Sequence, residues 1–250
     1  MANLRENSIP SNVANYTDKE RQILAAYIDL VELHSDIPDI LLYNFARVAR
    51  TQDVTKFLVF HETFRQILHV PGVIAEIGVL EGQTLFSMAH FSEIYEHRNY
   101  VRKIVGFDTF EGYTLPNGKR IEPVSVDLLE KSVALFNSAI AFSQFEKISL
   151  VKGAPEKTAP AFFSPGSGEV CALLVLHSGI YEIEKSVLES VWSRMPIGGV
   201  VLTGGFASDE TPQCTEAIQD VVGIGNVEMH RFPFATKYCY FKKCAPEKEA

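Results

Sequence analysis

The sequence predicts an α/β domain built on a mostly parallel sheet and preceded by a helical extension. Short apolar runs alternate with stretches of helical periodicity, and these runs are continuous, as in strands covered on both faces. The first run, Val73 to Ile77, is followed by Gly78, by Gly82 and by a helix-forming stretch. A strand, a glycine turn and a helix N-terminus offer a place for a ligand. Glycines there would let the ligand approach the backbone.

The composition excludes several classes of protein. The chain has 250 residues, a hydrophobic content of 46% and a formal net charge of -8. Lys and Arg do not cluster beyond pairs, so binding to nucleic acid is not expected. No apolar run approaches the roughly 20 residues of a membrane span, and the N-terminus lacks the apolar segment of a secretory signal. We therefore expect a cytoplasmic protein with reduced cysteines.

We expect residues 1–70 to form a polar arm followed by helices, and residues 71–250 to form the ligand-binding domain. Thr17 and Glu20 match a capping box at the start of the first helix. The aromatic residues that follow recur at helical spacing and are most simply part of the core. The expected helices of this section cover residues 17–33, 39–49 and 54–68.

Beyond the glycine turn, strands and helices are expected to alternate. Further strands are predicted over residues 103–108, 148–151, 170–176 and 199–203. Helices are predicted over residues 85–91, 126–142, 182–192 and 215–222. Residues 227–230 and 238–241 should close the sheet as an antiparallel pair. Tyr113 to Pro123 contains Pro116 and an Asn-Gly pair, so it is expected to be a loop.

In an open parallel sheet, ligands bind at the carboxyl ends of the strands. Asp108 ends the second strand about thirty residues after Gly78. An acid there is the expected acceptor for ribose hydroxyls of an adenosine ligand, although its simpler role is to cap the next turn. The other residues at strand ends are Glu76, Gly78, Gly82, Thr84, Thr109, Glu111, Gly153, His177, Gly204 and Gly205.

Two segments resemble the macrocin O-methyltransferase family. They are Val70 to Thr84 and Arg102 to Gly112, and the second contains the run Phe-Asp-Thr-Phe-Glu-Gly. The resemblance covers about residues 50–243. It implies a Rossmann-like class I methyltransferase that uses S-adenosylmethionine and methylates sugar hydroxyls, often in natural-product biosynthesis. It also implies a homo-oligomer, in the simplest case a homodimer, whose N-terminal helices help to close the site.

The resemblance also assigns roles to the residues at the strand ends. Glu76 and Gly78 would line the methionine part of the cofactor, Thr84 would approach its carboxylate, and Asp108 would hold its ribose. The expected cofactor-binding set is completed by Gly82, Thr109 and Gly153.

The sequence departs from the family at its metal site. Family members usually read Leu-Asp-x-Asp-x-Tyr-Glu after the fourth strand and Asp-Asp-Tyr after the fifth, and these aspartates hold a divalent cation. Here the four aspartate positions carry His177, Gly179, Gly204 and Gly205. Magnesium requires hard oxygen ligands in near-octahedral geometry. One imidazole and three glycines do not provide them, so we predict that no metal is bound there.

Without a metal, a sugar hydroxyl needs a base to take its proton. His177 is the candidate base, although a histidine that ends an apolar strand can also be purely structural. Glu111 is the second candidate. We predict methyl transfer from S-adenosylmethionine to a small molecule without Mg²⁺. The alternatives are a more nucleophilic acceptor such as an amine or thiol, a protein that binds the cofactor without transfer, a non-methylating cyclisation or rearrangement enzyme, and a sugar O-methyltransferase with a rebuilt metal site.

Overall fold

The computed structural model describes residues 18–33, 43–140, 146–209 and 211–245. The predicted arm, the Thr17 cap and residues 39–42 lie outside these ranges. The chain divides into two compact units, Met1–Lys56 and Phe57–Ala250. In the first unit, helix α1 spans Asp18–Leu33 and helix α2 spans Phe45–Val48. Helix α3, Thr51–Gln66, begins in the first unit and continues into the second.

The second unit contains the predicted α/β sheet. In chain order its elements are β1 (Val73–Ile77), α4 (Gln83–Glu96), β2 (Ile104–Asp108), β3 (Tyr113–Thr114), β4 (Arg120–Ile121), α5 (Val126–Leu135), β5 (Ile148–Lys152), α6 (Pro155–Phe162), β6 (Cys171–Leu176), α7 (Tyr181–Trp192), β7 (Val200–Thr203), α8 (Pro212–Val221), β8 (Met229–Phe232) and β9 (Ala235–Lys242).

Seven of these strands form one sheet in the order β5-β2-β1-β6-β7-β9-β8. The strands from β5 to β7 are parallel, and β9 runs antiparallel to both of its neighbours. From β1 the chain adds β2 and β5 on one side of the sheet and then crosses over to add β6 and β7 on the other side. The switch point therefore lies between β1 and β6. There Ile77 is paired with Phe107 and with Leu176, which brings three carboxyl ends together.

The core lies on both faces of the sheet. Alternate residues of β1 point to opposite faces, so Ile74 packs with α3 and α4 while Ala75 packs with α6 and α7. Phe60 and Phe64 are fully buried against this sheet, as their helical spacing predicts, whereas Phe57 of the same predicted core stripe is 39% exposed. Burial of these faces accounts for the continuous apolar strands in the sequence. Among the described residues, no helix is long and apolar enough to cross a membrane.

Three local predictions need correction. The segment predicted as a loop over Tyr113 to Pro123 contains the β3–β4 hairpin, paired through Thr114 and Arg120. Its strands are two residues long, too short for a period-two pattern to show. Helix α6 was missed because Pro155 and Pro160 resemble loop signals, yet Pro155 occupies the first turn, where proline is tolerated. The helix predicted over residues 126–142 becomes a π-helical turn at Phe136–Ile140.

Candidate active site

The carboxyl ends of β1, β2 and β6 surround a cavity of about 100 Å³. Residues from the loops after these strands line it together with the first residue of α6 and one residue of α7. The lining residues are Gly78, Asp108, Thr109, Gly112, Tyr113, Pro155, Ser178 and Ile183. Three of the residues predicted to bind a cofactor, Gly78, Asp108 and Thr109, therefore meet at one cavity. This is the switch point, where an open parallel sheet binds its ligand.

The two glycines of the turn after β1 serve different purposes. Both have positive φ angles, +85° at Gly78 and +80° at Gly82, which favour glycine. A Cβ at Gly78 would lie 3.2 Å from the backbone carbon of His177, so this glycine permits the close approach of β1 and β6. A Cβ at Gly82 would lie 2.9 Å from Leu129 Cδ1. At Gly82 the missing side chain makes room for helix α5.

Asp108 connects the loops that follow β1 and β2. Its Oδ2 accepts hydrogen bonds from the backbone N–H groups of Val79, at 2.7 Å, and Leu80, at 3.2 Å. Its Oδ1 accepts one from the N–H of Phe110 at 2.8 Å. The simpler role of a turn cap is therefore present. A carboxylate has about four acceptor sites, so Asp108 retains capacity for a ligand in the cavity that it lines.

A buried acid and a histidine face each other behind this cavity. Glu76 on β1 is 1% exposed, and its Oε1 lies 3.4 Å from Nδ1 of His177, which follows β6. Burial raises the pKa of Glu76, while contacts with His177 and with the hydroxyl of buried Thr84 oppose that rise. In the described part of the chain, Glu76 Oε2 and His177 Nε2 have no hydrogen-bond partner. The pair thus has one internal contact and two unused polar atoms.

Two aromatic rings and a glycine enclose His177. The ring centroids of Tyr238 on β9 and Phe60 on α3 lie 6.1 and 6.3 Å from that of His177. A Cβ at Gly204 would lie 3.6 Å from His177 Cδ2. Burial, followed by the negative charge of Glu76, raises the pKa of Tyr238 to about 12. Tyr238 therefore stays protonated near neutral pH, and the histidine sits in a largely apolar pocket.

Glu184, in the first turn of α7, is a second buried acid. Its Oε1 accepts hydrogen bonds from the Ser178 hydroxyl at 3.1 Å and from the Gly179 N–H at 3.0 Å. Burial raises its pKa, and these hydrogen bonds together with one from Cys214 oppose the rise. Glu184 thereby fixes the loop that directly follows His177.

The four positions that the resemblance assigns to metal-binding aspartates carry no carboxylate in this chain. A Cβ at Gly205 would lie 2.5 Å from Cys214 Sγ and 2.6 Å from Thr211 Oγ1, so a carboxylate there would displace these side chains. Gly179 has a φ of +66°. Within the described ranges, no group of three or more His, Cys, Asp or Glu residues is arranged to hold a metal ion.

The remaining predicted residues are dispersed along the same edge. Glu111 has an exposed side chain, and its N–H donates to Thr109 Oγ1 at 3.3 Å. Gly153 has a φ of +138° and donates its N–H to the carbonyl oxygen of Asp108 at 2.9 Å. Thr84 is 3% exposed at the start of α4. His177 and Glu76 are thus brought into contact, whereas Glu111 lies on the surface.

Several solved structures that match this chain are methyltransferases. The structure of CalS11, a TDP-rhamnose 3'-O-methyltransferase of calicheamicin biosynthesis, is 25% identical to this chain. The match covers 91% of this chain and 96% of CalS11, with a TM-score of 0.81. The chain is a methyltransferase.

Two solved structures with lower sequence identity share the fold of this methyltransferase. The O-methyltransferase NovP is 15% identical over 77% of this chain and 81% of its own, with a TM-score of 0.61. A methyltransferase of Podospora anserina, PaMTH1, is 12% identical over 92% and 97%, with a TM-score of 0.51. No protein-family model and no curated protein matches the chain.

Sequence reasoning missed three residues at the site of this methyltransferase. Glu184 lay inside a predicted helix, Phe60 lay in a stripe interpreted as core, and Tyr238 lay in the final predicted strand. One signal was available for Glu184, since it is an acid in the first turn of a helix that follows a strand end. The positions of Phe60 and Tyr238 depend on the packing of distant elements around His177.

Proposed function

We propose that this methyltransferase transfers the methyl group of S-adenosylmethionine to a sugar hydroxyl of a small natural-product intermediate, without a metal ion. The observation that carries the proposal is the Glu76–His177 pair at the switch point. It supplies a histidine whose Nε2 is unused and whose Nδ1 faces a buried carboxylate. The glycines at the former metal positions support the second part of the proposal.

S-adenosylmethionine is the cofactor, and the residues at the switch point fit it. Glu76 Oε2 is a buried polar atom without a partner among the described residues, suited to a positively charged group. Asp108 and Thr109 line the adjacent cavity, where a ribose would find an acceptor. The bound cofactor supplies an electrophilic methyl group on a sulfonium. The cofactor-binding set that we propose is Glu76, Gly78, Gly82, Thr84, Asp108, Thr109 and Gly153.

His177 is the base in this proposal. In a neutral imidazole, Nδ1–H directed at Glu76 leaves the lone pair on Nε2 to accept the proton of a hydroxyl. Glu76 orients the ring and stabilises the imidazolium that forms. A positioned base of this kind contributes a factor of about 10² to 10⁴ to the rate. The histidine side chain is 17% exposed, but its Nε2 is buried, so in this proposal the pocket around His177 opens toward the acceptor. Glu111 is the alternative base, on the exposed loop after β2.

CalS11 acts on TDP-rhamnose, and this suggests the class of acceptor. We propose that the acceptor here is likewise a sugar, free or carried by a nucleotide. A hydroxyl is a poor nucleophile near neutral pH, which matches a site with a base. An amine acceptor is a better nucleophile, so its methylation would depend less on a base.

Label transfer tests the proposal. The purified protein is incubated with methyl-labelled S-adenosylmethionine and a panel that contains TDP-rhamnose, other TDP-deoxysugars, and amine and thiol analogues. We expect label in an O-methylated sugar. Label confined to amine or thiol products would contradict the sugar assignment, and binding of the cofactor without any label transfer would contradict the activity.

We also propose that the protein is a cytoplasmic homodimer, as the resemblance implies. Light scattering on the purified protein distinguishes a dimer from a monomer of 27.9 kDa.

A further inference from the structure

Glu76 is a buried carboxylate with one oxygen engaged and the other unused. Oε1 lies 3.4 Å from His177 Nδ1, and Oε2 has no partner within the described part of the chain, although the residue is 1% exposed. A buried polar atom without a partner lowers the stability of the folded protein, because its lost hydration is not replaced. A ligand that brings a cation to Oε2 removes this destabilisation.

The other buried acids at this edge of the sheet accept hydrogen bonds from the backbone. Asp108 accepts backbone N–H groups on both of its oxygens. Glu184 accepts two hydrogen bonds on Oε1 from the loop after β6, while its Oε2 has no partner among the described residues. Glu76 has no backbone donor among its described contacts and lies two residues before Gly78, which lines the cavity. Glu76 also faces His177, so a cationic group of the cofactor at Oε2 would act directly on the histidine.

We infer that the ammonium group of the cofactor binds to Glu76 Oε2 and that cofactor binding thereby expels a proton from the Glu76–His177 pair. The inference rests on the proposed function and adds a regulatory property to the same site: His177 becomes a competent base when the cofactor is in place.

The physical reason is competition between two cations for one buried carboxylate. Two titratable groups at 3.4 Å share their protons, so their pKa values belong to the pair. In the free protein, the shared proton lies either on His177, beside ionised Glu76, or on Glu76, beside neutral His177. An ammonium group on Oε2 favours ionised Glu76 and repels an imidazolium. Both effects lower the affinity of the pair for the proton, which leaves to solvent.

The neighbouring charges are consistent with this competition. Burial raises the pKa of Glu76 and the negative charge of Asp108 adds to that rise, which favours retention of the proton in the free protein. Burial raises the pKa of Tyr238 to about 12, so its hydroxyl adds no charge near neutral pH. Burial raises the pKa of Glu184, and the electrostatic interaction of this carboxyl with His177 opposes that rise.

Titration calorimetry with S-adenosylhomocysteine tests the inference, because this product keeps the ammonium group and is not turned over. Binding is measured between about pH 5.5 and pH 8 in buffers of different ionisation enthalpy. We expect release of close to one proton per bound ligand below the macroscopic pKa of the pair. Affinity should then rise up to tenfold per pH unit and level off above that pKa.

Two variants and one ligand locate the proton. His177→Gln should bind S-adenosylhomocysteine without releasing this proton, and Glu76→Gln should also bind more weakly. The matched control is His230→Gln, since His230 Nε2 faces Glu228 at 3.7 Å on the terminal hairpin. It should behave as the wild type. 5'-Methylthioadenosine, which lacks the ammonium group, should bind without proton release.

The outcomes separate this inference from the proposed function. Binding of S-adenosylhomocysteine that is independent of pH and buffer, or proton release that persists in His177→Gln, overturns the inference and leaves the proposed function standing. Failure of the wild type to bind S-adenosylhomocysteine at any pH overturns the proposed function, and the inference with it.

Discussion

At the scale of single residues, the site is defined as much by missing side chains as by present ones. The resemblance to the macrocin O-methyltransferase family aligns His177, Gly179, Gly204 and Gly205 with metal-binding aspartates. A Cβ at residue 205 would overlap with Cys214 and Thr211. The packing of α8 against the end of β7 therefore leaves no room for a side chain at this position.

Gly204 and Gly205 form a matched pair for testing this packing. Gly205→Ala places a Cβ 2.5 Å from Cys214 Sγ, so it should lower the free energy of unfolding by about 1–3 kcal/mol. Gly204→Ala makes ordinary contacts, the nearest at 3.5 Å, and should stay within about 1 kcal/mol of the wild type. Urea unfolding measures both. Equal effects for the two variants would argue against steric control at Gly205.

From the sequence alone, a site residue could be predicted where its role follows from its position in or after a strand. Glu76, Asp108 and His177 were identified because each lies within or ends an apolar run. Their partners were not, since the contact between Glu76 and His177 depends on the pairing of β1 with β6. Tyr238 lies far from these residues in sequence, and the antiparallel strand β9 brings it to the same pocket. Contacts of this kind depend on sheet order, which periodicity does not encode.

At the scale of elements, Arg102 connects the end of α4 to the segment between α3 and β1. Its guanidinium donates to both carboxylate oxygens of Glu96 at the end of α4 and to the carbonyl oxygens of Gly72 and Ile67. The Arg102 side chain is 2% exposed. Arg102 thus fixes the chain between α3 and β1, and α3 carries Phe60 to the ring of His177.

Arg102→Met should lower the free energy of unfolding by about 3–5 kcal/mol, because it leaves the largely buried Glu96 without its cation. Arg102→Lys keeps the charge but loses the planar set of donors, so a smaller loss is expected. Urea unfolding again gives the comparison. A loss below about 1 kcal/mol in Arg102→Met would show that the contacts of Arg102 contribute little to stability.

Strands were predicted more reliably than the connections between them. The bounds of β1 were predicted to the residue, because Val73–Ile77 is an apolar run, broken only by Glu76, before a glycine. Helix α6 and the β3–β4 hairpin were missed. Both are short, and proline in α6 and the Asn-Gly pair in the hairpin resemble loop signals. Their conformation is set by neighbours: Gly112, before β3, would place a Cβ 2.3 Å from the carbonyl oxygen of Ile121 in β4.

At the scale of the whole molecule, the topology explains why the chemistry is concentrated at one edge. The strand order reverses direction between β1 and β6, and the loops that follow them separate there. Alternation of strands and helices was enough to predict this fold class. The identity of the acceptor depends on the loops and on the packing around the pocket. The alternation of strands and helices does not predict either of these.

The central claim is that Glu76 and His177 replace a metal ion in methyl transfer. The most direct test is single-turnover transfer from preloaded S-adenosylmethionine to the accepted sugar, with excess EDTA, in the wild type and in His177→Gln. We predict that EDTA leaves the wild-type rate unchanged and that His177→Gln slows transfer by about 10²- to 10⁴-fold. Transfer that stops in EDTA and returns with Mg²⁺, or a variant as fast as the wild type, would contradict the claim.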